Sequence, residues 1–150
     1  MGEAALLKWL DQKDDLLAGR TPRAKAGGPE VRELCNHFLT AKSRLLKSGE
    51  ITARTFNDYR VTAEQIAASF GTRRLVSDLT VADFDKLRSQ LNETFGIVAL
   101  SNAIQRIRSE FRYGFEAQLI EKPVHFGPTF KRPNKKSMRL ARAEKRSAAL

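Results

Sequence analysis

Sulfur and imidazole are scarce in this chain: one cysteine and two histidines stand among 150 residues. A single thiol excludes an internal disulfide, and His37 and His125, far apart in sequence, supply no metal-binding cluster. Neither histidine has a nucleophile in a base–nucleophile pattern, so both read as ordinary structural residues. Cys35 shares the apolar register of Leu34, Phe38 and Leu45 and reads as core filler. No run of eighteen apolar residues exists, and the N-terminus lacks the basic start, apolar middle and small-residue exit of a secretory leader. A cytoplasmic protein with no membrane partner is the expectation. Glycine-rich phosphate loops, nucleophile elbows and acid/base constellations are also missing, while Asp83 and Asp85 fit first-turn helix charges. Catalysis within this chain, a metal, a cofactor and a small-molecule substrate are therefore not expected.

Hydrophobic residues make up 41% of the chain, enough at this length for one domain with tails. Basic residues outnumber acidic ones, 27 to 17, for a net charge of +10. The excess is uneven: residues 1–20 carry −1, residues 21–120 carry +4 and residues 121–150 carry +7. An acidic partner is favoured, and the tail carries most of the attraction.

Helical periodicity dominates the rest. Ala5, Leu6, Trp9, Leu10, Leu16 and Leu17 predict an N-terminal helix that runs out at Gly19, before a breaker-rich linker closing near residue 29. Val31, Leu34, Cys35, Phe38, Leu45 and Leu46 predict a helix stopped by Gly49. Thr52 caps a second, with core positions Phe56, Tyr59, Ala63, Ile66 and Phe70 before Gly71. Thr80 and Asp83 form a capping-box start for a third, carrying Val81, Phe84, Leu87 and Leu91 and ending at Gly96. A fourth runs over roughly 97–120, with Ile104, Ile107, Phe111, Phe115 and Leu119 as its apolar stripe and Pro123 limiting its extension. No segment alternates as a strand. The expected fold is an all-α bundle of four helices over 30–122, with an additional N-terminal helix and its linker over 1–29 and a basic linker and helix over 123–150.

Two helices carry side chains suited to nucleic acid on their polar faces: Arg54, Thr55 and Asn57 on the second, and Asn102, Gln105, Arg106, Arg108 and Arg112 on the fourth. Arg106 and Arg108 lie about 200° apart on the helix wheel, so they belong to different stripes. Arg108 falls with Ser101, Gln105 and Arg112, and Arg106 with Asn102 and Ser109. By spacing alone, a solvated face and a DNA-contacting face both stay open.

The order of "LTAKSRLLKSGEITARTFNDYRVTAEQIAASFGTRRLVSDLTVADFDKLRSQL" and "VALSNAIQRIRSEFRYGFEAQLIEKPV" resembles the core-binding domain of tyrosine recombinases, the phage-integrase family. A first helix leads to a Thr…Tyr helix with Thr52, Thr55 and Tyr59. A "dLT..Df..l" helix follows at Asp78 to Leu87, and the last helix ends near a proline. The likeness covers about 31–136 and lies in the order of elements rather than in one short motif. Gly114 stands where an alanine is common, and Lys122 where asparagine is frequent. The N-terminal flank is similar to the end of an arm-type module, and the C-terminal flank to the passage into a catalytic domain.

The resemblance implies a SAM-like bundle forming one jaw of a clamp on double-stranded DNA at a recombination site, with other recombinase protomers as partners of a full-length protein. It implies DNA contacts by Arg54, Thr55, Asn57, Gln105, Arg106, Arg108 and Arg112, with Lys131, Arg132, Lys135 and Lys136 following the backbone. The stripe of Ser101, Gln105, Arg108 and Arg112 is the favoured DNA-facing strip. The family's catalytic arginines, histidines and tyrosine have no assignable position here, so this chain is expected not to cleave or rejoin DNA. A helical protein-interaction module or recombination accessory factor is the alternative.

Overall fold

Local side-chain chemistry sets the helix starts at Thr52 and Thr80. The computed structural model describes residues 27–149. The expected N-terminal helix of Ala5 to Leu17 lies outside them. Five α-helices occur among the described residues: α1 (Val31–Lys47), α2 (Ala53–Phe70), α3 (Val81–Thr94), α4 (Ile97–Glu116) and α5 (Lys135–Ala149). A single 3-10 turn, Val76–Asp78, lies between α2 and α3. No strand is present among the described residues, so the fold is all-α.

Thr52 caps α2 by accepting from the Thr55 amide, and Thr80 and Asp83 form the full capping box at the start of α3. The start of α1 is different, because Glu30 gives no side-chain cap. The first two helical amides donate instead to main-chain carbonyls of the α2–α3 loop, Val31 to Arg74 at 2.8 Å and Arg32 to Thr72 at 2.9 Å. Those donors have no partner within their own helix, so a remote loop does the capping.

The chain divides into two compact units, one ending its first segment at Leu79 and resuming over Ser109–Val124, the other formed by Thr80–Arg108 and the residues from His125 onward. Helix α4 contributes its last turns to the first unit and its first turns to the second.

In the first unit, α1 buries Val31, Leu34, Cys35, Phe38 and Leu39, and α2 buries Phe56, Ala63, Ile66, Ala67 and Phe70. Leu45 and Leu46 are only half-buried. Phe38 meets Tyr59 and Tyr113 edge-on at 5.4 and 5.6 Å between centroids, an arrangement that aligns ring edges with ring faces. Lys42 covers this cluster, its ammonium 4.6 Å from the Tyr59 ring centre. Gly114 is the tightest point: a Cβ there would stand 2.7 Å from Leu34 Cδ1, and Ile120 closes in from the other side. The missing side chain lets α4 meet α1 at Leu34 and lets Ile120 fold back.

That close approach changes two expectations about α4. The helix ends at Glu116, well before Pro123, because Gln118 takes φ +62° and the Gly114 carbonyl accepts from both Leu119 and Ile120. Phe115, expected in the core, is 39% exposed. The buried face continues from Phe111 through Gly114 to Ile120, and Phe115 lies about 100° round the helix from Gly114.

In the second unit, Phe84, Leu87 and Leu91 of α3 and Leu100, Ala103, Ile104 and Ile107 of α4 are buried together with Phe130. Phe84, Phe126 and Phe130 form a trio of rings with centroids 5.0 to 5.8 Å apart. The basic segment before α5 is thus anchored rather than a free linker. Gly127, at φ +85°, makes its turn possible, since a Cβ there would collide with Val81 Cγ1.

Candidate nucleic-acid interface

On the first unit, Arg54 and Asn57 are exposed near the start of α2 and Thr55 is half-buried in the capping turn. The Thr55 hydroxyl accepts a hydrogen bond from Thr52 at 3.0 Å. Asn57 is not an idle amide: its Oδ1 accepts from Arg60 Nη2 at 2.8 Å and Nε at 3.2 Å, and Arg60 Nη1 also donates to Glu64. Reading an adenine edge takes both the oxygen and the NH2 of an asparagine. With its oxygen held by Arg60, Asn57 presents only donors, which suit a phosphate. Arg112 of α4 is also exposed on this unit.

On the second unit, Gln105, Lys131, Arg132, Lys135 and Lys136 are exposed, and Arg106 is half-buried. Ser101 and Arg108 depart from the expected exposed strip. Ser101 has no solvent exposure, and its hydroxyl accepts from Arg132 Nε at 2.8 Å. Arg108 donates from Nη1 to the Phe130 carbonyl at 2.8 Å and lies 4.6 Å from the centre of the Phe126 ring. Both side chains bind the 126–132 segment down, so of the four stripe residues only Gln105 and Arg112 stay exposed. The signal for this was present in the sequence: two phenylalanines, Phe126 and Phe130, in a segment otherwise read as a linker call for burial.

Arg108 is therefore a structural residue first. Arg108→Ala removes a charge-assisted hydrogen bond and a cation–ring contact, and we expect it to lower unfolding free energy by about 2 kcal/mol in urea. An unchanged midpoint contradicts this assignment.

The strongest cationic feature is one that sequence reasoning passed over. Lys135, Arg139, Arg142 and Arg146 follow i, i+4, i+7 and i+11 along α5 and are all exposed. At 100° per residue they fall within an arc of about 60°, over roughly 16 Å of helix. Glu144, the only carboxylate of α5, lies on the opposite side. Spacing could have revealed the stripe, but the tail shows no convincing apolar face, and attention to apolar periodicity misses a purely charged one.

Buried polarity lies elsewhere, in the first unit. Glu110 has no solvent exposure, and its Oε2 accepts from Cys35 Sγ at 3.7 Å while Oε1 has no partner among the described residues. Burial pushes the Glu110 carboxyl up to about 8, against a smaller opposing effect of the Cys35 hydrogen bond. Burial, followed by the neighbouring carboxylate, raises the Cys35 thiol well above its ordinary value. A thiol held protonated is a poor nucleophile, which keeps Cys35 in the role of core filler.

Among the described residues no group of three or more potential metal ligands occurs, and no helix is long and apolar enough to cross a membrane. No family model, curated protein or solved structure matches the chain.

Proposed function

We propose that this chain is a DNA-binding helical module of the core-binding type, one half of the clamp that a tyrosine recombinase closes on duplex DNA during integration or recombination. The observation that carries the reading is the α5 stripe, four exposed cations on one face with no carboxylate among them. A duplex carries roughly ten phosphates over the same length, so each cation has a phosphate within reach. The order of helices, with the Thr52 and Thr80–Asp83 caps in place, is what the resemblance to the core-binding domain rests on.

The division of labour follows from the side chains. Lysines and arginines of α5 and its approach hold phosphates and set position, and Arg54, Asn57 and Arg112 serve the first unit in the same way. Gln105 is the candidate for reading a base edge, since its amide has no intramolecular hydrogen bond among those of the described residues. In this reading the chain binds, while cleavage and rejoining belong to a catalytic domain whose residues have no counterpart here.

Fluorescence anisotropy with a labelled duplex in low salt tests the proposal, and we expect saturable binding that added salt reverses. The rival reading, a protein-interaction module, draws on Leu140, 56% exposed on α5. That reading predicts self-association or partner binding insensitive to DNA, visible as a concentration-dependent mass in sedimentation without nucleic acid.

A further inference from the structure

Within the second unit a cleft of about 700 Å³ is lined by side chains of α3, the first turn of α4 and the segment entering α5. Among the described residues, three cations line it, Arg88, Lys131 and Arg132, and no carboxylate does. Asn134 and Ser137 form part of the wall, and Asn134 Oδ1 accepts from the Ser137 amide at 2.7 Å, so the cleft adjoins the amide-rich, electropositive start of α5. Thr129, also in the lining, has its hydroxyl committed to Asp85.

Arg88 is half-buried, the most enclosed of the three cations. Its Nε is shielded from solvent and has no hydrogen-bond partner among the described residues. A nitrogen closed to water is closed to a phosphate oxygen as well, so the terminal nitrogens of Arg88, not Nε, are the donors that an anion in the cleft can meet. Arg132 is held by Ser101 through Nε, which fixes the guanidinium while its terminal nitrogens remain as donors. A planar, pre-oriented guanidinium suits tetrahedral oxyanions, and a nearby lysine adds charge.

We infer that this cleft binds a phosphate group, with Arg132 as the held guanidinium and Arg88 and Lys131 completing the charge. The chemistry is that of a phosphate, whether presented by a duplex backbone or free in solution. It deepens the DNA reading and rests on it only for the backbone source.

The test is a titration of the uniformly 15N-labelled 150-residue chain with inorganic phosphate at constant ionic strength, read by NMR. We expect saturable shifts at the Arg88 and Arg132 guanidinium signals and at the Asn134 and Ser137 amides. Affinity should fall at least tenfold in Arg88→Gln and about threefold in Lys131→Ala, an exposed site that leaves packing intact. A short duplex that displaces phosphate from these signals identifies the backbone as the source; phosphate binding that the duplex leaves untouched identifies a free phosphate ligand. Shifts that stay linear, that chloride reproduces, or that both variants retain undiminished overturn the site. The DNA reading fails separately: in that case phosphate saturates the cleft signals while the duplex does not bind at all.

Discussion

Glu110→Gln is expected to stabilise the protein by about 4 kcal/mol at about pH 8 and to change it little at about pH 4. The folded chain holds the Glu110 proton up to about 8, whereas the ordinary carboxyl value is 4.5. Between those values the folded state binds more protons than the unfolded state, so unfolding free energy declines as pH rises through that window. The span corresponds to roughly 4 to 5 kcal/mol at 1.36 kcal/mol per unit. Below 4.5 the carboxyl is protonated in both states and the contribution is fully present. Glutamine keeps an acceptor for Cys35 and carries no charge, so the variant is flat where the wild type declines. Urea unfolding of both proteins from about pH 4 to about pH 9 provides the comparison. A difference that does not vary with pH contradicts the assignment of Glu110 as a buried, proton-holding carboxyl.

Removing the α5 stripe is expected to have the second large effect. The combined variant Lys135→Ala, Arg139→Ala, Arg142→Ala and Arg146→Ala should weaken duplex binding by roughly a hundredfold at low salt. Each phosphate contact contributes about 0.9 to the slope of log affinity against log salt, so the slope should shrink by roughly 3 to 4. All four positions are exposed and alanine is the best helix former, so α5 should survive the change. Circular dichroism checks that survival. Replacing Glu144 on the opposite face by alanine should leave binding unchanged, whereas a general charge effect would tighten it.

Local chemistry made much of the fold legible. Thr52, Thr80 and Asp83 cap where their side chains dictate, since a cap depends on residues three apart in the chain. Apolar spacing placed Leu34, Phe38, Ile66, Phe84, Ile104 and Phe111 in the core, as found. What stayed hidden depends on distant residues. The first amides of α1 are capped by carbonyls of Thr72 and Arg74, a pairing that no pattern within α1 announces. Phe115 loses its core place to Gly114 because a glycine counts as nothing in an apolar stripe, yet it is where Leu34 approaches most closely.

The candidate interface was legible as composition and less so as geometry. Arg54, Gln105, Arg112 and the basic residues from Lys131 to Lys136 are exposed as expected. Ser101 and Arg108 were misplaced because their helix position said nothing of the segment that returns to cover them. Glu110 was overlooked for a similar reason: among Arg106, Arg108, Ser109 and Arg112 it reads as one more solvated charge, and only its pairing with Cys35 from another helix reveals it.

The most direct measurement is the affinity of the intact chain for a labelled duplex from about 50 to 200 mM salt. The stripe with Lys131 and Lys136 predicts a log–log slope between about −4 and −6. No binding at the lowest salt, or an affinity that salt leaves unchanged, contradicts the account.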